Sequence, residues 1–314
     1  MTSSVSSNLR VLVVGSEGML ARDLLARVRQ SGLQVEGLDL PELDITNPGQ
    51  VRSSLKSSSP GVVINCAAYT AVDKAESERD AAFSVNRDGP ANLADACKSF
   101  EIPLIHISTD YIFDGSARSP YQEDAPPNPL GIYGKSKWEG EEEIRRRLDE
   151  HIIVRTAWLF GAHGRNFPRT ILDLAREREE LRVIADQHGC PTWTGDLADA
   201  LTTMATEAIL RKNDRIWGTY HFCGSGRTTW HGFAEAIIRN AMKREVLKAR
   251  RVVPITTDEY PTPASRPAWS VLDCRKVGKV FGIVPPDWEA GLAKMMDELY
   301  SKNQVFRSTG SGST

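Results

Sequence analysis

The sequence lacks the features that would assign it to a membrane or to nucleic acid. Its 39 Lys and Arg nearly balance its 41 Asp and Glu, and no segment carries a sustained basic excess, which argues against a nucleic-acid footprint. The longest apolar stretches are only as long as a strand, and the opening MTSSVSSN has no basic segment followed by an apolar one. Neither a membrane span nor an export signal is therefore predicted, and we expect a cytoplasmic location.

Cysteine and metal-ligand patterns are also scarce. The 314 residues include five cysteines, an odd number, and their spacing does not match that of metal ligands. We interpret them as reduced thiols. The histidines His163, His188 and His231 show neither a paired carboxylate nor metal spacing, so no metal site is predicted. The cysteines are Cys66, Cys97, Cys190, Cys223 and Cys274.

What the chain does contain is a regular alternation of short apolar runs with longer amphipathic stretches from Leu9 onward. The runs are apolar almost throughout, which is typical of parallel strands covered by helices on both faces. The pattern predicts an α/β protein with a Rossmann-type doubly wound parallel sheet. The runs are LRVLVVG, LQVEGLDL, GVVINCAA, IPLIHIST and IIVRTAWLF.

The alternation of apolar runs with amphipathic stretches becomes less regular in the second half, which predicts a smaller C-terminal substrate lobe. We expect a dinucleotide-binding Rossmann domain over 9–160. A mixed region over 161–304 is mostly the substrate-binding lobe, with elements returning to the sheet. The polar ends 1–8 and 305–314 are expected to be disordered. Helices are predicted at FPRTILDLAREREE, from Asp196 and from Thr229, and strands at LRVIADQ and GTYHFCG.

The first predicted strand runs into GSEGMLA, which places Gly15, Gly18 and Ala21 in a G-x-x-G-x-x-A pattern at the start of a helix. Such glycines permit a tight turn and let the backbone approach a pyrophosphate at the helix N-terminus. The pattern alone is weak, because two glycines after a strand also form ordinary turns.

Asp39 strengthens the dinucleotide interpretation. It ends the second strand, within a few residues of the usual spacing of about twenty from the glycine turn. A carboxylate at that spacing can accept hydrogen bonds from an adenosine ribose. Its segment LDLPELDIT contains no Lys or Arg that could neutralise a 2′-phosphate. We therefore expect NADH as the preferred cofactor, with NADPH as a second candidate.

Tyr133 and Lys137 lie four positions apart in YGKSK, so a helix would place them on one face. An ammonium close to a phenol favours the phenolate and lowers the phenol pKa, which suits proton transfer. The alternative is a solvated helix, because WEGEEEIRRR follows directly with Glu and Arg at spacing four.

Two other strand ends supply the context for this pair. The fourth strand ends in HISTD, so Ser108, Thr109 and Asp110 are expected at the carboxyl edge of the sheet, where ligands bind in such folds. The third ends in NCAAY, where Ala67 and Ala68 leave room for a cofactor or simply allow close packing.

Together these motifs resemble the dTDP-4-dehydrorhamnose reductases, within the extended short-chain dehydrogenase/reductase family. The resemblance extends from about Leu9 to about Tyr300. It rests on strings in family order: NCAAYTAVDKAES, ISTDYIFDG, IYGKSKWEGE, VRTAWLFG, FPRTILDLAREREELRVIADQHGCPT, TTWHGFA and YPTPASRP. It implies reduction of the 4-keto group of a dTDP-linked sugar to give dTDP-L-rhamnose.

The resemblance also implies roles for individual residues. Tyr133 would be the general acid, Lys137 would lower its pKa and hold the nicotinamide ribose, and Thr109 would bind the keto oxygen. Asp110 and Trp158 would contact substrate. The cofactor-binding residues expected from the strand ends and the resemblance together are Gly15, Gly18, Met19, Leu20, Asp39, Asp44, Ile45, Ala67, Ala68, Tyr69, Thr70, Ile107, Tyr133 and Lys137.

Other features remain open. Arg266, in ASRP, could bind the substrate diphosphate or be an ordinary surface arginine. Gly195 stands where some relatives carry a glutamate that bridges subunits through magnesium, so a homodimer, if formed, is expected without a bridging metal. The alternative functions are a reductase of a related NDP-4-keto-6-deoxyhexose, such as one giving the talose epimer, and a non-catalytic nucleotide-binding subunit. An example of such a non-catalytic protein is the regulatory subunit of methionine adenosyltransferase, which resembles these reductases.

Overall fold

The computed structural model describes residues 9–210 and 214–309. Residues 1–8 and 310–314, which belong to the expected polar ends, lie outside the described residues. Helix α11, Trp288–Thr309, extends into the range 305–314 that the sequence had assigned to a disordered end. Its early turns are anchored by buried apolar side chains, its one glycine, Gly291, lies in the first turn, and no Pro interrupts it, so helical hydrogen bonding can propagate along the segment.

A six-stranded sheet forms the centre of the protein and confirms the predicted fold class. All its neighbouring strands are parallel, in the order β10-β5-β4-β3-β1-β2. The direction of winding reverses between β1 and β3, and such a reversal opens a crevice at the carboxyl ends of the strands. The strands are β1 Arg10–Val14, β2 Gln34–Leu38, β3 Val62–Asn65, β4 Leu104–Thr109, β5 His151–Thr156 and β10 Gly218–His221.

Helices cover both faces of the sheet, as the apolar strands predict. On β1, Val11 and Val13 pack into the core formed with α1 and α8, whereas Leu12 and Val14 pack into the opposite core, beside α2 and α5. Alternating residues of a strand point to opposite faces, so a strand buried on both faces must be apolar throughout. The helices are α1 Met19–Gln30, α2 Pro48–Ser58, α5 Gly89–Phe100, α6 Ile132–Arg147 and α8 Thr194–Leu210.

A third apolar core holds the second lobe together. It joins α7 Phe167–Glu177, α9 Trp230–Ala241 and α11 with the parallel pair β7 Glu180–Ile184 and β12 Arg251–Ile255. Because β10 and α8 pack on the central sheet, the second half of the chain contributes to both lobes; the proposed division at residue 160 stays a prediction. None of the described helices is long and apolar enough to cross a membrane. The short elements are α3 Val72–Ala75, α4 Arg79–Phe83, α10 Arg275–Phe281, β6 Leu159–Phe160, β8 His188–Gly189, β9 Thr192–Trp193 and β11 Thr228–Thr229.

Candidate active site

A cavity of about 810 Å³ opens at the carboxyl ends of β1, β3, β4 and β5. The turn after β1, the start of α6 and the loop after β6 all contribute to its wall. Every expected cofactor-binding residue lines this cavity, and so do Thr109, Asp110 and Trp158. Their location is therefore as predicted, while their individual roles stay predictions.

The turn between β1 and α1 is shaped for close approach of a ligand to the backbone. Gly15 has φ of +77°, and a Cβ at this position would lie 2.6 Å from the backbone nitrogen of Ala67. Gly18 is the N-cap of α1, and among the described residues no side chain caps that helix by hydrogen bonding. The first N–H groups of α1 are thus available to an anion, which the helix dipole also favours.

Asp39 closes the same turn from the end of β2. Its Oδ2 accepts a hydrogen bond from the Glu17 backbone N–H at 2.8 Å, and its Oδ1 accepts one from the Leu40 N–H at 2.8 Å. The nearby Arg22 is bound to Glu17 at 2.6 Å, and Arg10 lies 3.8 Å from Glu36. These two arginines, the cations that could have turned towards Asp39, therefore have acidic partners elsewhere.

Tyr133 and Lys137 lie in the first turns of α6, and Thr109 ends β4 beside them. Burial raises the pKa of Tyr133 to about 12, and its hydrogen bond with Thr109 offsets only part of this effect. The Lys137 Nζ donates to the Ile107 carbonyl of β4 at 2.6 Å, and the expectation that Lys137 lowers the Tyr133 pKa stays a prediction.

Lys137 is itself an unusual lysine, because it is 2% exposed. Burial lowers its pKa to about 8, although the charge of Glu141, one turn further along α6, raises it in part. A buried lysine with such a pKa can change its protonation state near neutral pH. The sequence motif predicted the presence of this cation, but not this property.

A buried ion-pair network lies behind Thr109, Tyr133 and Lys137. Glu141 is fully buried and binds the buried Arg155, whose Nη2 donates to Oε2 at 2.7 Å. Arg145 donates to the same oxygen at 2.6 Å, and the Ser108 hydroxyl donates to Oε1 at 2.5 Å. The Ser108 hydroxyl therefore belongs to this network, although Ser108 also lines the cavity.

The second lobe contributes aromatic and polar side chains that the sequence analysis did not assign. Trp230 stacks on Trp158 with ring centroids 3.6 Å apart, and Trp158 has a left-handed backbone with φ of +47°. Asn166 caps α7 and donates to the Gly161 carbonyl at 2.7 Å. An asparagine before a helix is a readable capping signal, but nothing local places it at the cavity. The added lining residues include Trp230, Arg165, Asn166, Thr156 and Val72.

Arg266 is not among the residues that line the cavity, but it is hydrogen-bonded to Tyr111, which is, and its contact with the substrate diphosphate stays a prediction. Its guanidinium forms a paired contact with Asp73, with Nη1 to Oδ1 at 3.0 Å and Nη2 to Oδ2 at 2.8 Å. It also donates to the Thr262 hydroxyl and the Ala264 carbonyl. The arginine is thus neutralised by a carboxylate from the first lobe, and it ties the Pro-rich loop to α3.

The surroundings of His163 also differ from the sequence-based expectation, which gave this histidine no paired carboxylate. Its Nε2 lies 3.6 Å from Asp23 Oδ1 and 3.9 Å from Glu298 Oε1, although these residues are far apart in sequence. One ligand-type atom from each of the three side chains lies within 4.8 Å of the others. The carboxylate partners that the spacing did not reveal come from α1 and α11, which the fold brings together.

Comparison with known proteins agrees with this geometry. The family model of the RmlD substrate binding domain matches residues 9–301. A dTDP-4-dehydrorhamnose reductase of Aggregatibacter actinomycetemcomitans is 44% identical over 285 residues, 90% of this chain and 97% of the relative. A probable dTDP-4,6-dihydroxy-2-methyloxan-3-one 4-ketoreductase of Streptomyces antibioticus is 38% identical over 93% of this chain and 96% of its own length. The crystal structure of dTDP-4-dehydrorhamnose reductase from Bacillus anthracis in complex with NADP matches with a TM-score of 0.86 and 36% identity, over 93% of this chain and 99% of that chain.

Proposed function

The chain belongs to the RmlD substrate binding domain family, and we propose that it reduces the 4-keto group of dTDP-4-dehydro-L-rhamnose to give dTDP-L-rhamnose. The observation that carries the proposal is one cavity that holds the glycine turn together with Thr109, Tyr133 and Lys137. Two features of the cavity fit a bound ligand. Any Cβ at Gly15 would fill the turn, and the buried Thr156 hydroxyl has no hydrogen-bond partner among the described residues.

Different residues of the chain carry out different parts of such a reduction. When bound, a reduced nicotinamide supplies the hydride that reaches C4 of the sugar. Tyr133 donates its hydroxyl proton to the carbonyl oxygen, so one hydride and one proton convert the ketone to an alcohol. A phenol with a pKa raised by burial is a protonated donor at neutral pH, as this step requires. The Thr109 hydroxyl, hydrogen-bonded to Tyr133, orients the same carbonyl oxygen.

We further propose that NADH is preferred over NADPH. The Asp39 carboxylate stands at the turn where an adenosine ribose arrives, and Arg22 and Arg10 are directed to other carboxylates. A 2′-phosphate carries close to two negative charges and would meet Asp39 without a local cation to offset it. Kinetics of the wild type with each cofactor test this point, and equal efficiencies or a preference for NADPH would refute it.

Fluorescence titration with NADH, followed by turnover of dTDP-4-dehydro-L-rhamnose and NMR analysis of the product, tests the main proposal. A related NDP-4-keto-6-deoxyhexose reductase is the second candidate, because the Streptomyces antibioticus relative carries a name of that kind at 38% identity. The epimer of the NMR product separates these two functions. Cofactor binding without turnover of any 4-keto sugar nucleotide would instead indicate a regulatory subunit.

The proposal includes a cytoplasmic site of action and, if the protein dimerises, a homodimer without a bridging metal. Gly195 carries no ligand atom in its side chain, and all five cysteines are free thiols. Sedimentation with and without EDTA tests the dimer, with no change in mass expected. A dimer that dissociates in EDTA would contradict the proposal and would direct attention to the cluster of Asp23, His163 and Glu298.

A further inference from the structure

Three thiols that are far apart in sequence meet in the apolar core beside Ala157 and Trp158. The Cys223 Sγ lies 3.5 Å from the Cys274 Sγ, and the Cys223 thiol also forms a hydrogen bond with Cys190. Cys190 and Cys223 are both 2% exposed, whereas Cys274 is partly exposed. The reduction proposed above uses none of these thiols.

The backbone holds the Cys223 and Cys274 sulfur atoms as neighbours. Cys223 follows β10, and the residue before it, Phe222, donates its N–H to the Arg155 carbonyl at 2.9 Å. Cys274 precedes α10, and the residue before it, Asp273, donates its N–H to the Tyr121 carbonyl at 2.8 Å. Both segments are thus anchored to the first half of the chain, and the contact between the thiols is part of the folded core.

The exposure of the three thiols decides which pair an oxidant can join. Cys274 is the member that solvent reaches, and Cys223 is the buried sulfur in contact with it. Cys190 also contacts Cys223, but both of these thiols are buried, so neither meets an oxidant first. A disulfide has an S–S length of about 2.05 Å, so closing the bond brings the two sulfur atoms about 1.5 Å closer and the loops that carry them must adjust.

We propose that Cys223 and Cys274 form an oxidative modification site, at which hydrogen peroxide converts the two thiols to a reversible disulfide. The Cys274 sulfur attacks the peroxide, so that an S–O bond forms, the O–O bond breaks and one water leaves. The Cys223 sulfur then attacks the resulting sulfenic acid, so that the S–S bond forms, the S–O bond breaks and the thiol proton leaves with the hydroxyl group as a second water. The two thiols lose two electrons, which the peroxide gains.

A set of hydrogen bonds connects this site to the aromatic side of the cavity. The N–H of Gly224, next to Cys223, donates to the Thr192 hydroxyl at 3.4 Å. That hydroxyl donates to the Ala157 carbonyl at 2.7 Å, and the Thr192 N–H donates to the Trp158 carbonyl at 3.2 Å. Because Trp158 lines the cavity, a movement of the Cys223 loop displaces part of the cavity wall.

The effect on catalysis rests on the proposed reductase function, whereas formation of the disulfide does not. Neither Cys223 nor Cys274 lines the cavity, and the glycine turn is not part of the hydrogen-bonded set. We therefore expect oxidation to raise KM for the sugar nucleotide by about three- to tenfold and to leave the NADH Kd within about twofold of the reduced protein.

The first test identifies the bond by mass spectrometry, because trypsin separates the three cysteines. Cys190 lies in peptide 183–211, Cys223 in 216–227 and Cys274 in 252–275. After treatment of the full chain with hydrogen peroxide and alkylation of the remaining thiols, we expect a link between 216–227 and 252–275 that dithiothreitol releases. A link between 183–211 and 216–227, or no link at all, would overturn the proposal whether or not the protein turns over a sugar nucleotide.

The second test uses matched serine variants, which each keep four of the five thiols. Peroxide should leave four thiols in Cys274→Ser and two in Cys190→Ser, when thiols are counted in denaturant. In Cys223→Ser the sulfenic acid at Cys274 has no partner, so dimedone should label Cys274. Loss of two thiols in Cys274→Ser, or none in Cys190→Ser, would make Cys190 the partner of Cys223 and contradict the proposal.

The third test concerns the effect on the cavity. Steady-state kinetics of the wild type before and after oxidation should show the rise in KM, and dithiothreitol should reverse it. The control is Cys274→Ser, in which the same treatment should leave KM unchanged. An equal rise in KM in this variant would assign the effect to another thiol, such as Cys66 in the cavity wall, and would refute the connection to Trp158.

Discussion

The cavity has two halves that the chain builds in different ways. The cofactor half is formed by the ends of parallel strands and the turns that follow them, including Gly15, Asp39 and Ala67. The substrate half is formed where loops of the second lobe meet the sheet, with Trp158 and Trp230 stacked against each other. In the first half, all the expected residues line the cavity. In the second, Arg266 is not among the lining residues, and several residues that do line the cavity were not predicted.

The difference shows which positions local rules can fix. In a parallel sheet, strand ends share one edge, so a residue at the end of an apolar run has a known location once the sheet is recognised. A loop residue is placed by packing between elements distant in sequence, as with Trp158, whose ring fills the space beside Gly189. Backbone constraints therefore dominate the cofactor half, and side-chain contacts the substrate half.

The largest expected effect comes from Tyr133→Phe, which acts where the two halves meet. The ring still packs while the proton donor is lost, so turnover should fall by about a hundredfold to ten-thousandfold while the NADH Kd stays within about twofold. Steady-state kinetics and fluorescence titration measure the two effects. The control is Tyr111→Phe, which alters a neighbouring phenol 5.6 Å away ring to ring and should cost less than about tenfold. Equal losses in the two variants would remove the special role of Tyr133.

Gly15→Ala tests whether the backbone governs the cofactor half. The new Cβ would overlap the backbone of Ala67 at 2.6 Å, so we expect the NADH Kd to rise by at least about tenfold as the turn is displaced. Gly32→Ala is a matched control, because Gly32 also has a positive φ, of +84°, but has no atom within 4 Å of the added Cβ. Both variants should lose about 1 kcal/mol of stability from backbone strain. Only the first should lose affinity, and a parallel loss in both would leave strain as the sole effect.

Asp39→Ala tests whether one side chain sets cofactor choice within that half. For the wild type we expect about a tenfold or greater preference for NADH in kcat/KM, since the 2′-phosphate is repelled by the carboxylate. We expect Asp39→Ala to reduce this preference, chiefly because kcat/KM with NADPH increases. Parallel kinetics with both cofactors measure the ratio, and an unchanged ratio would show that Asp39 does not face the ribose.

The smallest effect is expected for the Asp73–Arg266 pair, which joins the Pro-rich loop of the substrate half to α3. Both side chains are partly exposed, at 41% and 20%, so their coupling in a double-mutant cycle of Asp73→Ala and Arg266→Ala should be about 0.5–1 kcal/mol. Chemical denaturation of the four proteins measures it. Arg266→Ala should raise KM for the sugar nucleotide a few-fold and leave the NADH Kd unchanged. A large change in NADH affinity would mean that the two halves are not separable in this way.

The sequence by itself determined the doubly wound sheet, the glycine turn and the positions of Thr109, Tyr133 and Lys137. Each of these follows from a local rule: strand period, turn chemistry, or helical spacing of four. Only the tertiary structure decided how Tyr133 and Lys137 titrate. Tyr133 has a raised pKa and Lys137 a lowered one because both are buried, and burial is a property of the assembled fold. The same is true of the partners of Cys223, Arg266 and His163, since contacts between residues far apart in the chain depend on how helices, strands and loops pack, which local sequence patterns do not encode.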